Sequence, residues 1–296
     1  MKRILVTGAY SFIAGYVAEE LKRKGYYVVG TVHHLGEVPK GFDELYLADM
    51  RDRAAIYSAV EHVDGVIHLA GLLGTSENIR QPELMTEVNV GGALNVLNAV
   101  ENFKIPSVFI GVGNYWMNNT YSISKYMAER YALMFAENFK TPVNVVRALN
   151  AYGPRQKWGK IRKIIPTFIN AALRREDIPV YGGHKQCSKM DMIYVGDVAR
   201  TLVDVLGTKS FKGVLGQVYE AGTGSEPSVW EIASRIKEVT KSKSKLIEVP
   251  MRAGETNNSR VVAEKPYFND YRKFDEAIIE TVEYYKALYK AEKDGK

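Results

Sequence analysis

The feature that most constrains this chain is an alternation, in its first half, of short apolar runs with longer amphipathic ones. RILVT (3–7), SFIAGYVAEELKRKG (11–25), YYVVGTV (26–32), RAAIYSAVEHV (53–63), GVIHLAG (65–71), ELMTEVNVGGALNVLNAVENF (83–103) and PSVFIGVG (106–113) read in turn as strand, helix, strand, helix, strand, helix and strand. Strands joined through a helix return parallel to one another, so the pattern predicts βαβ units and an α/β fold built on a doubly wound parallel sheet. VNVVRALN (143–150) extends the series, and DMIYVGDVARTLVDVL (191–206) adds another strand and helix. There is no internal repeat, low-complexity segment or long linker. A second, smaller mixed α/β lobe must therefore come from insertions and the tail, with 156–189 and 223–296 as its segments and 1–155 and 190–222 as the parallel-sheet domain.

Composition excludes several classes. A chain of 296 residues, 46% hydrophobic and 25% charged, has ample material for a buried core. The start, MKRILVTGAY, carries only a short apolar run that stops at a glycine, so neither a signal peptide nor a membrane span is expected there. The lone Cys187 cannot form an internal disulfide and fits a reducing cytoplasm, the expected location. The net charge is +6, but the runs KRK (22–24) and KSKSK (241–245) read as solvated faces, so no nucleic-acid partner is expected. No His, Cys or carboxylate cluster has metal-ligand spacing, so no metal is expected.

Two motifs carry chemistry. In VTGAYSFIAGYV the first strand runs through a turn straight into a helix, a geometry that lets backbone N–H groups and the helix N-terminus approach a pyrophosphate. A G-x-x-G-x-x-G pattern would fall on Gly8, Ser11 and Ala14, and only the first glycine is kept. Asp49, in LADM, stands at the end of a later strand, placed to accept a hydrogen bond from an adenine amine. The second motif is TYSISK (120–125), which sets Tyr121 and Lys125 four residues apart, on one face if the stretch opens a helix. An ammonium beside a phenol lowers the phenol's pKa and prepares it for general acid/base work.

TGAYSFIA, LADM, VIHLAG, EVNVGGALNVLNA, YSISK, VVRALNAYGPRQ, DMIYVGDVA, YEAGTG and MRAGE occur in this order along nearly the whole chain. In this it resembles the extended short-chain dehydrogenase/reductases that act on nucleotide sugars. The resemblance implies a Rossmann-like domain binding NAD or NADP and a C-terminal lobe closing over a nucleoside diphosphate sugar. It makes Tyr121 the catalytic acid/base, and Lys125 the residue that holds the nicotinamide ribose and lowers the tyrosine's pKa. It assigns cofactor contacts to Gly8, Ser11, Phe12 and Ile13 at the turn, Asp49 and Met50 in LADM, and Leu69, Ala70 and Gly71 in VIHLAG. Asn150 and Arg252 resemble the residues that reach the diphosphate. Such proteins are often homodimers through a four-helix contact, which 127–139 and 93–103 could supply.

The departures from the pattern bear on the reaction. The Ser or Thr that usually precedes the tyrosine, hydrogen-bonded to the reacting sugar oxygen, aligns with Gly111, leaving Asn114, Asn118, Thr120 or a water as replacement donor. VGNYW (112–116) also lacks the acidic pair of the related 4,6-dehydratases, so elimination of water is not expected. A C4 epimerase is the leading expectation. The alternatives are a 4-ketoreductase or dehydrogenase, and a cofactor-binding regulator without turnover. Cofactor choice turns on VVGTVHHL, where Val32 replaces the acidic residue of an NAD site and His33 and His34 could donate to a 2′-phosphate, which favours NADP slightly. Another arginine common before the DMIYV-type strand is replaced by Met190, with Lys189 beside it.

Overall fold

The computed structural model, described for residues 1–184, 188–207 and 215–295, resolves the alternation into an ordered series; Cys187 lies outside the described residues. The first part is β1 (Arg3–Thr7), α1 (Phe12–Arg23), β2 (Tyr27–Val32), β3 (Glu44–Leu47), α2 (Arg53–Glu61), β4 (Gly65–His68), α3 (Pro82–Thr86), α4 (Gly92–Phe103), β5 (Ser107–Val112), α5 (Thr120–Phe139) and β6 (Val143–Ala148). It continues with β7 (Asn150–Tyr152), α6 (Ile164–Arg174), β8 (Ile178–Tyr181), β9 (Lys189–Met190), β10 (Met192–Tyr194), α7 (Val195–Gly207), β11 (Val218–Ala221), α8 (Val229–Val239), β12 (Leu246–Val249), β13 (Arg260–Val261) and α9 (Phe274–Lys293).

Seven strands form one parallel sheet in the order β11-β6-β5-β4-β1-β2-β3. Its continuous apolar strands are explained by burial on both faces. Ile4, Val6, Val28, Val108 and Val146 pack with Ala14, Val17, Leu21 and Leu202 of α1 and α7. The alternate residues Leu5, Val29, Val66, Phe109 and Val145 pack with Ile56, Val96, Leu97 and Ala132 of α2, α4 and α5. The connections change direction between β1 and β4, leaving a crevice at the carboxyl ends of the strands, where open α/β sheets bind ligands. Register brings Thr7 beside both Thr31 and His68 at that edge.

Helices α6, α8 and α9, with the small sheet β8–β12, bury a separate cluster around Phe168, Ile169, Ile178, Ile232, Ile236 and Ile278. Here α8 starts on a capping box, with Ser228 and Glu231 satisfying each other's backbone amides. One helix departs from the sequence expectation. The stretch 83–103 is interrupted by a π-helical turn, Glu87–Gly91, between α3 and α4. The wider turn accommodates one residue more than α-helical winding, and the buried Asn89 within it joins Leu72 to Ser124 of α5 through its amide. Among the described residues no helix is long and apolar enough to cross a membrane.

Candidate active site

Helix α5 begins at Asn119, whose side chain accepts from the Ser122 N–H at 2.8 Å, so the first turn is fixed where Tyr121 sits. Tyr121 and Lys125 follow one turn apart and line the same cavity. Lys125 is 6% exposed, and its ammonium has no hydrogen-bond or ion-pair partner among the described residues. Burial pushes it down to about 8, opposed by the charge of Glu129 one turn further along. Burial pushes the Tyr121 phenol up to about 12. This runs opposite to the lowering expected from the lysine, because burial strips water from the phenolate.

Behind the pair, Glu129 is gripped by Arg147 through Nε at 2.9 Å and NH2 at 2.5 Å, and the guanidinium lies 3.9 Å from the centre of the Tyr115 ring. A Cβ on Gly111 would come within 3.0 Å of Glu129 Oε2 and 3.1 Å of Arg147 Cγ. A serine side chain here would press on the ion pair and on Val145, so the glycine fits this packing. Of the three replacement donors, Asn114 lines the cavity, with its amide making only a long N–H···S contact to Met117 at 3.6 Å. Asn118 is exposed, and Thr120 donates to the Asn78 carbonyl at 3.0 Å.

The cofactor turn is shaped by Gly8, at φ +74°, where a Cβ would stand 3.1 Å from Ala70 Cα. Ser11 caps α1 without a side-chain hydrogen bond, leaving the amides of the first turn free, and Ser11, Phe12 and Ile13 line the cavity beside Leu69 and Gly71. A helix N-terminus whose cap side chain makes no hydrogen bond fits the pyrophosphate of a dinucleotide. The Thr7 hydroxyl accepts from the Leu69 and Ala70 amides, each at 3.0 Å, which leaves its hydrogen for His68 Nδ1 at 2.9 Å. Burial, reinforced by Lys125, pushes His68 down to about 3, so it is a neutral strut. Asn89, which sequence reading passed over, accepts from the Leu72 N–H at 2.7 Å and donates to Ser124 Oγ at 3.0 Å, tying this strap to α5. An asparagine inside the apolar helix EVNVGG was the available signal.

His33, His34, Asp49 and Met50 stand apart from the residues lining that cavity. The two imidazoles are exposed and 3.1 Å apart, and His34 lies over Tyr10 with ring centres 5.2 Å apart. Both oxygens of Asp49 are taken by Arg51, which holds the carboxyl at about 2, so an adenine amine would compete with a guanidinium there. Met50 is buried, and a Cβ on Gly92 would meet its side chain at 2.7 Å.

At the far end of the cavity Asn150 donates to the Asp191 carbonyl at 3.0 Å. Arg252 is engaged by two carboxylates, Glu77 at 2.9 Å and Glu255 through Nε at 3.1 Å and a second bond from NH2. Its planar fork, expected to face a diphosphate, is thus already largely answered. Thr75 Oγ1 donates to Glu255 at 3.0 Å, and Asn119 Nδ2 donates to the Gly254 carbonyl at 2.9 Å, so loop 251–256 is stitched to loop 72–81 and to the start of α5. Met190 lines the cavity, while Lys189 is paired with Glu226 at 3.3 Å.

Residues 4–222 match the sequence model of the NAD dependent epimerase/dehydratase family. A UDP-N-acetyl-alpha-D-glucosaminuronate decarboxylase of Bacillus cytotoxicus is 30% identical over 275 residues, covering 84% of this chain and 84% of the relative. A putative UDP-glucose 4-epimerase of Methanocaldococcus jannaschii is 27% identical over 277 residues, covering 85% and 87%. Among solved structures, the Thermus thermophilus UDP-glucose 4-epimerase in complex with NAD superposes with a TM-score of 0.82 at 25% identity, over 96% of this chain and 99% of that one.

Proposed function

The chain belongs to the NAD-dependent epimerase/dehydratase family, and we propose that it transfers hydride at C4 of a nucleoside diphosphate sugar, taking the sugar through a 4-keto intermediate to its C4 epimer. The observation that carries this reading is that one cavity is lined by Tyr121 and Lys125, by the turn at Ser11, Phe12 and Ile13, and by Asn150 and Arg252. With its pyrophosphate at that turn, a bound dinucleotide would supply the nicotinamide as a reversible hydride acceptor. Tyr121 Oη takes the C4 hydroxyl proton and later returns it. Lys125 holds the ribose and favours the anionic form of the phenol against the burial that disfavours it. Asn114 Nδ2 donates to the sugar oxygen in the role left open at Gly111. No carboxylate stands in GVGNYW to remove a ring proton, which favours epimerisation over dehydration. The same oxidised carbon would also permit loss of a C6 carboxylate, the outcome that the name of the Bacillus cytotoxicus relative supports.

The buried Val32 in place of an acid and the exposed His33 and His34 support NADP at least as well as NAD. Ile123, Met127 and Tyr131, exposed at one-turn spacing along α5, support a homodimer through α4 and α5. The test of the reaction is Tyr121→Phe, assayed with UDP-glucose, UDP-N-acetylglucosamine and their dTDP counterparts. Turnover should drop by roughly two to four orders of magnitude while cofactor affinity stays within about threefold. Undiminished turnover would refute the assignment.

A further inference from the structure

Arg252 sits between two carboxylates of different origin. Glu255 stands three residues along the same loop and engages Nε and NH2, so it stays with the arginine wherever that loop goes. Glu77 comes from loop 72–81, which follows β4 of the seven-stranded sheet, and its Oε1 accepts from Arg252 NH1 at 2.9 Å. The same oxygen accepts from the Arg162 backbone N–H at 3.0 Å. Arg162 precedes α6 and Arg252 follows β12, so one carboxylate oxygen ties two separate segments of the smaller layer to the sheet. The chains approach closely here: Gly74 has φ +113°, and a Cβ on it would stand 3.1 Å from Ile161 Cδ1. Of the five N–H donors of a guanidinium, the two carboxylates use three. One donor on each terminal nitrogen is left without an acceptor among the described residues, the pair that an end-on phosphate would take.

We propose that Glu77 is a positioning residue for substrate binding, fixing the Arg252 guanidinium to the sheet side of the cleft so that its remaining donors keep one spacing from Tyr121 and Lys125, which line the same cavity. A carboxylate beside a phosphate-binding arginine also opposes the ligand's charge, and the two effects have opposite signs. Lys163 lines the cavity as well and feels the charges of Glu77, Glu255 and Arg252, so the cluster holds two acidic and two basic side chains. Deleting the Glu77 carboxylate leaves the basic groups in excess, which by charge alone would tighten an anion. Deleting the anchor frees a rotamer-rich side chain that binding must order again, which loosens the anion. With the guanidinium tied across the cleft, anchoring outweighs opposition.

The inference rests on the nucleotide-sugar reading, and calorimetric titration of cofactor-loaded protein with uridine, thymidine, UDP and dTDP separates the two. Glu77→Ala should weaken the diphosphate that wild type binds by at least tenfold and leave its nucleoside within twofold. Glu77→Gln, which keeps an acceptor oxygen in place, should stay within about threefold of wild type. In an Arg252→Ala background, Glu77→Ala should weaken the diphosphate by less than a further twofold, because its effect passes through the guanidinium. Tighter diphosphate binding by Glu77→Ala would show that charge opposition dominates and overturn the proposal. An equal loss for nucleoside and diphosphate, an additive loss in the double variant, or binding that matches wild type would overturn it too; in each of these cases the nucleotide-sugar reading stands. If wild type binds neither diphosphate, both readings fall. Unliganded melting temperatures control for folding, with Glu77→Asp, which keeps the charge on a shorter arm, as the second variant and a loss of at least threefold expected.

Discussion

Replacing Lys125 with methionine should make the protein more stable while disabling it. The ammonium is buried, 6% exposed, and held at about 8 rather than its ordinary 10.5. At about 1.4 kcal/mol per tenfold change in proton affinity, that difference corresponds to about 3 kcal/mol of destabilisation when the group is charged in both states. The folded-state value lies below the unfolded one, so between about pH 8 and 10.5 the unfolded chain holds more protons, and wild-type stability rises with pH across that window. Below pH 8 the full penalty applies, and above 10.5 it is gone. Methionine has a similar length and no charge. Lys125→Met should therefore exceed wild type by up to about 3 kcal/mol at pH 7, a rise in melting temperature of roughly 5–10 °C, and the gap should close by about pH 10.5. Burial holds the folded Tyr121 phenol at about 12, so it stays protonated across this window. The assay is urea unfolding followed by far-ultraviolet circular dichroism at pH 7, 9 and 10.5. A variant less stable than wild type at pH 7, or a gap that does not change with pH, would refute the account of an unpaired buried ammonium.

Restoring the family hydroxyl by Gly111→Ser should lower stability by about 1–3 kcal/mol without raising turnover, because the new Cβ presses on the Glu129–Arg147 pair; a stable, faster variant in thermal melts and steady-state assays would contradict that geometry. NADPH should bind at least as tightly as NADH by fluorescence titration, and a tenfold preference for NADH, about 1.4 kcal/mol, would remove the role given to His33 and His34.

The parallel sheet was legible because apolar runs separated by helical ones leave few ways to bury both, and Tyr121 and Lys125 were legible because four-residue spacing survives in any helix. The direction of the Tyr121 shift was not legible, since it depends on which distant side chains exclude water from the phenol. Arg252 could be read as a cation but not as a cation already matched, because Glu77 lies 175 residues away in sequence. Asn89 was hidden for another reason: a π-helical turn breaks the periodicity by which a polar residue in an apolar helix is assigned a face.

The stitches between loop 251–256, loop 72–81 and the start of α5 bear on retention as well as on shape. A protein that oxidises a sugar and then reduces it again must not let go in between, since an escaped ketone takes with it the only route back and strands the nicotinamide in its reduced form. Asn119 to Gly254, Thr120 to Asn78, Thr75 to Glu255 and Arg252 to Glu77 join loops 72–81 and 251–256 to the helix that bears Tyr121. Parting them is a step separate from the chemistry, and its slowness would give the intermediate time to turn over in place. For the C4 epimerisation proposed above, the rate at which these loops part would determine how many catalytic cycles finish.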